Sequence, residues 1–134
     1  MKRKEQRPHL ILKVFNNNGG EGELTRIITE ENETSYAGQL KGLPEDERGL
    51  IIYKKNEDNW VLITKRRIRA VQNGEGYELM VEDLDDGHFC WDSPEARRTQ
   101  FILTDVNNNN YLLHLEKGKA FSSLTSVLFF MAQQ

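Results

Sequence analysis

Six cations fall within sixteen residues of this 134-residue chain: Lys54, Lys55, Lys65, Arg66, Arg67 and Arg69. Ammonium and guanidinium groups at that density are the residue types that converge on phosphate or carboxylate oxygens. Lys65-Arg66-Arg67 stands between two alternating apolar segments, in NWVLITKRRIRAV, where it is either an anion-binding surface or the solvated corner of a β-hairpin. Glu57 and Asp58, in the loop just before, would repel an incoming phosphate, so the hairpin corner is favoured. Trp60 opens the second of these segments next to a polar loop. Core filling is the first expectation for it, and a place on the rim of a binding site the second.

Other chemistry is thinner. His88 follows Asp85-Asp86-Gly87 and precedes Asp92, but that spacing matches no established metal-ligand pattern. Asp85-Asp86-Gly87 is expected to be a turn. No metal site is assigned. His9, His88 and His114 lack a nucleophile and an orienting carboxylate at motif spacing, so no catalytic residue is assigned and the chain is not expected to be an enzyme; an enzyme of unknown class, centred on Asp85–Asp92, is a distant third reading. His114 alternates with Leu113 and Leu115 and is expected on the opposite face from them. The single cysteine, Cys90, sits between Phe89 and Trp91 without a nearby cation, as a reduced core thiol would. Asn73-Gly74-Glu75-Gly76 joins two strands rather than a strand and a helix, which disfavours a phosphate loop. No cofactor is implied.

Around these residues the composition is that of one globular domain spanning 1–134, with 37% hydrophobic and 29% charged residues and a formal charge of −3. The slight acidity argues against a general nucleic-acid binder. MKRKEQR, rich in cations, is expected to be a frayed, solvated start, and HLILKVF is too short to span a membrane. A reducing, cytoplasmic location is expected from the reduced thiol.

Alternation and turn residues divide the chain. His9–Phe15 and Leu24–Thr29 are expected to form an N-terminal β-hairpin across the Asn/Gly-rich loop at 16–23. A short helix through YAGQL and an exposed LPEDER turn follow. Seven strands are then expected at Leu50–Lys55, Trp60–Thr64, Arg67–Gln72, Tyr77–Glu82, His88–Trp91, Gln100–Asp105 and Tyr111–Glu116, with DSPEARR as one of the turns between them. Both tryptophans are expected on inward faces. Ala120, Phe121, Leu124, Val127, Leu128 and Met131 recur at helical spacing, so the chain ends on an amphipathic helix over 118–132.

PEDERGLIIYKKNEDNWVLITKRRIRAV, followed by GYELMVEDL, resembles the bacterial pleckstrin-homology-like domains over about residues 44–132. The match lies in Leu62-Ile63-Thr64, the Lys65-Arg66-Arg67 turn, Ile68, Tyr77-Glu78-Leu79 and Glu82-Asp83-Leu84, in that order. The resemblance implies a mainly β fold: a bent, seven-stranded antiparallel sandwich or barrel capped by a C-terminal α-helix, here with the extra hairpin at 1–43. It implies no single function, because such folds serve as lipid-binding, peptide-binding and self-associating modules. The leading expectation is a non-catalytic binding or assembly module whose partner is a protein segment or a second copy, met at sheet edges. The alternative is an anionic lipid or phosphate ligand held by Lys54, Lys55, Lys65, Arg66 and Arg67, with Trp60 alongside. Phosphoinositide-binding members carry their last basic residues inside the second strand, whereas here they lie at its far end.

Overall fold

In the computed structural model, which describes residues 7–133, Pro8 opens a helix and not a strand. α1 (Pro8–Asn17) begins with proline at its first turn, where the missing amide hydrogen costs nothing. Its apolar residues Ile11 and Phe15, one turn apart, are fully buried. Asn18 donates from its side chain to the Val14 carbonyl at 2.7 Å, and the Gly20 amide bonds the Phe15 carbonyl at 3.0 Å. The asparagines therefore end a helix, and the expected N-terminal hairpin is corrected to a helix plus one short strand. The expectation for MKRKEQR falls almost wholly on residues 1–6, outside the described residues.

β1 (Thr25–Ile27) keeps part of the expected second arm and pairs antiparallel with β2 (Gly49–Asn56). Between them lie a 3-10 turn at Glu33–Tyr36 and the short α2 (Ala37–Leu40), where a helix was expected. The chain then meanders through β3 (Asn59–Thr64), β4 (Arg67–Gln72) and β5 (Glu75–Met80), completing a five-stranded sheet in sequence order. A second meander follows: β6 (Leu84–Phe89), β7 (Gln100–Asp105) and β8 (Asn110–His114). α4 (Lys119–Ala132) closes the chain. Two antiparallel sheets of five and three strands with a C-terminal helix are consistent with a β sandwich.

The seven strands expected from Leu50 onward all have a counterpart, six of them within two residues at either end, while the expected His88–Trp91 strand is replaced by β6 at Leu84–Phe89. DSPEARR does not turn but forms α3 (Pro94–Thr99), because the Ser93 hydroxyl accepts the Ala96 amide at 3.0 Å and Pro94 starts the helix. Asp85-Asp86-Gly87 lies inside β6, and the turn falls earlier, on a 3-10 segment at Val81–Asp83. A Cβ at Gly87 would stand 2.8 Å from the Phe101 ring, so the glycine makes room for that ring in mid-strand.

The core fills the space between the sheets and α4. Ile51, Val61, Ile63, Ile68, Phe101 and Leu103 meet Leu124, Leu128 and Met131, and Ile11 and Phe15 seal the far side of α4. Phe89 gathers Phe101, Phe121 and Phe129 at centroid distances of 5.5–6.0 Å. Cys90 is buried, as expected. A smaller cluster of Ile52, Trp60 and Leu62 lies on the outer face of the first sheet, under Tyr36, Leu40 and Leu43.

Two carboxylates organise the loops. Glu116 accepts the Glu23 and Leu24 amides and the Thr25 hydroxyl at 2.7–3.0 Å, tying the entry of β1 to the segment before α4. Asp105 accepts the Asn107 and Asn109 amides at 2.9 Å and the Tyr111 hydroxyl at 2.8 Å, with Asn108 in the left-handed region (φ 67°). Bonding from the Asn109 amide above all lowers the Asp105 carboxyl from 3.8 to about 2. A depressed acid stabilises the fold above its unfolded value and loses that contribution as pH falls through its folded value. Melting temperature should therefore fall between pH 3.8 and pH 2. That fall should be smaller in Asp105→Asn. Identical pH profiles for the two proteins would remove Asp105 from this role.

Candidate functional site

The hairpin of β2 and β3 decides the fate of the six cations. Lys55 stands at its turn, and Lys65 lies at the opposite end of β3, roughly 20 Å away at about 3.3 Å per residue. Lys54 and Lys55 also project to opposite faces of the sheet. Lys54 reaches the Glu57 carboxylate at 2.6 Å and lies over the Tyr36 ring at 5.9 Å. Bonding from Lys54, then from Gln39, holds the Glu57 carboxyl below its usual range. Lys55 lines a cleft of about 200 Å³ with Tyr53, Asn59, Asn73 and His114. Lys65 borders a groove of about 270 Å³ with Pro8, Glu45, Asp46 and Arg48. The lysines do not converge.

At the corner, the guanidiniums face inward onto acids. Arg66 forks onto Asp46 at 3.0 and 2.6 Å, and this bonding lowers the Asp46 carboxyl. Arg67 donates to both oxygens of Glu47, at 2.6 and 2.9 Å, and to Glu78 at 3.1 Å. Its pKa is raised, chiefly by the bond to Glu47. Arg69 donates to Glu78 at 2.6 Å and to the Gln39 and Lys41 carbonyls. Burial lifts the Glu78 carboxyl, and Arg69 and Arg67 together outweigh it, leaving it lowered.

The pivot is Glu47, whose side chain is 0% exposed. The expected exposed LPEDER turn is therefore corrected at this position, while Glu45, Asp46 and Arg48 do face solvent. Thr64 donates its hydroxyl to Glu47 at 2.6 Å and accepts the Arg66 and Arg67 amides at 3.1 and 3.0 Å. The corner is thus a closed network between PEDER and TKRR. Two acids that sequence inspection missed, Asp46 and Glu47, were signalled by an acidic triplet about twenty residues from a cationic one.

Changing Lys65, Arg66 and Arg67 together to alanine should therefore lower the melting temperature. Binding of anionic vesicles should be weak and alike in both proteins. Strong wild-type binding lost in the triple variant would restore the basic corner as a ligand site.

Trp60 belongs to the outer-face cluster at 8% exposure and donates to the Glu57 carbonyl at 3.2 Å, so it is an anchor and no rim residue. Trp91 is the reverse. The strand stops at Phe89, alternation lapses, and Trp91 emerges 68% exposed with Arg97 5.5 Å from its ring. His88 and His114 are exposed, while Leu113 and Leu115 are buried. Among the described residues, no three His, Cys, Asp or Glu side chains group as a metal site. Among them too, no helix is long and apolar enough to cross a membrane.

The sheet edges differ from one another. On β1, Ile27 gives its amide to Glu21 at 2.9 Å, and its carbonyl accepts Asn32 at 3.0 Å. The Thr25 carbonyl accepts the Gly22 amide at 3.0 Å. On β8, the bonds Asp105–Asn109 and Thr99–Leu115 set the alternation, so Leu112 and His114 turn their backbone groups outward. The Gln72 side chain donates to the Leu112 carbonyl and accepts the His114 amide, and the Tyr77 hydroxyl also donates to the Leu112 carbonyl. β6 is broken by a register shift between Leu84 and Asp86, and Asp86 folds back onto the Gly87 amide at 2.8 Å. Side-chain caps, bulges and inward charges of this kind block strand addition.

β5 carries no such device. Asn73 and Gly74, at φ 52° and 82°, make a two-residue turn closing on the Gln72–Glu75 pair. Bonded pairs then alternate toward β4, ending with the Val81 amide on the Arg66 carbonyl. Gly76, Glu78 and Met80 therefore turn their amides and carbonyls outward. Among the described residues, nothing bonds these outward groups.

No family model, curated protein or solved structure matches this chain.

Proposed function

We propose that the chain is a non-catalytic binding or assembly module of pleckstrin-homology-like architecture, which takes a protein segment or a second copy onto a sheet edge. The architectural half is supported by the order of elements after Gly49: four strands, then three, then a helix against the core. The functional half is carried by β5, whose outward backbone is left open while the other edges are capped or broken. An unpaired edge offers several hydrogen-bonding groups at once to an extended chain, which is the physical basis of strand addition.

The test is amide exchange at Gly76, Glu78 and Met80, read together with solution mass from about 1 μM to about 1 mM. Addition of a second copy slows these amides as mass rises. Addition of a foreign segment slows them while the chain stays monomeric, on mixing with members of a library of extended peptides. The proposal is overturned if neither concentration nor any library member slows them.

A further inference from the structure

Apart from the β5 edge, one buried donor is left unspent. Tyr53, on the inner face of β2, is 7% exposed, and its hydroxyl meets no hydrogen-bond partner among the described residues. A buried tyrosine ordinarily finds one. Among the described residues, Gln39 Oε1 is the sole side-chain atom both sealed from solvent and unbonded, so the Tyr53 hydroxyl is not sealed. It opens onto the cleft of about 200 Å³ that Tyr53 shares with Lys55, Asn59, Asn73 and His114. Burial, and after it the Glu116 charge, raises the Tyr53 pKa, so the phenol keeps its proton and offers it.

The other donors around the cleft are free as well. Lys55 lies two residues beyond Tyr53 and leaves the strand on the same face. It is exposed and carries no ion pair among the described residues. The neighbouring acids are spent or lie outside the lining. Glu57 is held by Lys54 and Gln39, and Glu116 already accepts from Glu23, Leu24 and Thr25. Asp58 stands over Gly74, 3.8 Å from where a Cβ would be.

The frame is set by bonds that leave these donors unused. Asn59 accepts the Asn73 backbone amide at 3.1 Å, which fixes the β4–β5 turn and spares the Asn73 side chain. Gln72 accepts the His114 backbone amide, which fixes β8 and spares the imidazole. We infer that this cleft binds a phosphate monoester, whose oxygens accept from the Tyr53 hydroxyl, the Lys55 ammonium, the His114 imidazole and the Asn73 side-chain amide.

The donors arrive from β2, from β8 and from the β4–β5 turn, which are three directions. A phosphate monoester presents three acceptor oxygens, whereas a carboxylate presents two in one plane. A cationic ligand would meet Lys55 and find no carboxylate in the lining. The volume lies below the roughly 300–1,000 Å³ of sites for drug-sized ligands, so the phosphate enters with a small substituent or as the end of a longer molecule.

The probe is methyl phosphate, titrated at constant ionic strength and followed by backbone amide chemical shifts. Shifts should centre on Lys55, Asn73 and His114. Tyr53→Phe deletes the hydroxyl alone. It should weaken binding by about tenfold without lowering the melting temperature, because no bond within the protein is lost. Lys55→Gln, at an exposed position, should weaken binding by at least about tenfold, and Lys65→Ala, at the far end of β3, should leave it unchanged. Vesicles of phosphatidylcholine and phosphatidic acid present the same group on a surface. Shifts of the same residues by these vesicles assign the phosphate to a lipid headgroup, and shifts by methyl phosphate alone assign it to a soluble ester.

The inference is overturned if methyl phosphate shifts none of these residues, or if acetate binds as tightly. It is overturned equally if Tyr53→Phe binds like wild type. Loss of binding in Lys65→Ala to the same degree as in Lys55→Gln would also overturn it, because the attraction would then be a general one between charges.

Discussion

Phe15→Ala is expected to destabilise the fold by about 4 kcal/mol, the range for deleting a buried phenyl ring that its neighbours cannot collapse to fill. Phe15 is fully buried, in a helix packed against α4 and β2. Its carbonyl receives Gly20, and the chain beyond presses so close to α4 that a Cβ on Gly19 would stand 2.3 Å from the Lys119 carbonyl oxygen. Ser123 in α4 donates back to the Gly20 carbonyl at 2.9 Å. The first helix and the last are thus one packing unit, although more than a hundred residues separate them. Denaturant melts check this. Lys13→Ala, on the exposed side of the same helix, should stay within about 0.5 kcal/mol of wild type. A cost below about 1 kcal/mol for Phe15→Ala would mean that α1 is an appendage and not part of the core.

Glu47→Ala is expected to cost about 3 kcal/mol, toward the low end for breaking a buried ion pair, because Arg67 keeps Glu78 as a second partner. The loss has two sources. Arg67 keeps its charge but loses two short bonds, and the Thr64 hydroxyl loses its acceptor while still holding two amides of the turn. Arg67→Met in the same background separates them. If the cost is mainly that of an uncompensated cation, the double variant should be at least about 1 kcal/mol more stable than the two single effects predict when added. Additivity would show that the carboxylate acts through Thr64 and the turn instead. Both variants also bear on function. A corner whose guanidiniums serve the fold should lose stability when they are removed, whatever the chain binds.

The two substitutions also mark where the sequence was legible. Alternation, with Asn and Gly at the turns, was enough to place six of the seven strands from Leu50 to His114; β6 starts four residues before the expected His88. Those turns demand left-handed backbone that Asn73, Gly74 and Asn108 tolerate. The helical stripe from Ala120 to Met131 was legible for a similar reason, because fourteen residues leave room for several turns. HLILKVF was not. Seven apolar-rich residues fit a strand and a two-turn helix equally well, and Pro8 at a helix start was the signal to weigh. DSPEARR held a comparable signal in Ser93-Pro94.

Other outcomes needed the tertiary structure, because they depend on pairs distant in sequence. Asp85-Asp86-Gly87 lies within β6, and it takes the fold to bring the Phe101 ring across Gly87, where a Cβ would stand 2.8 Å from it. The phase of the strand placed Trp60 and Trp91 alike, but Trp60 went under Tyr36 and Leu40 while the end of β6 left Trp91 in solvent.

The cations of Lys65-Arg66-Arg67 were plain in the sequence, as was the turn that carries them. Their meaning was not, because a guanidinium is a ligand site or a structural tie according to which acid the fold brings within 3 Å. Here Asp46 and Glu47 reach Arg66 and Arg67 from about twenty residues away, across β2 and β3. By itself, the sequence determined where most of the strands after Gly49 and the last helix run. Only the tertiary structure decided which charges are spent on one another and which sheet edge is left open. Periodicity is a property of neighbours in the chain, and pairing is a property of neighbours in space.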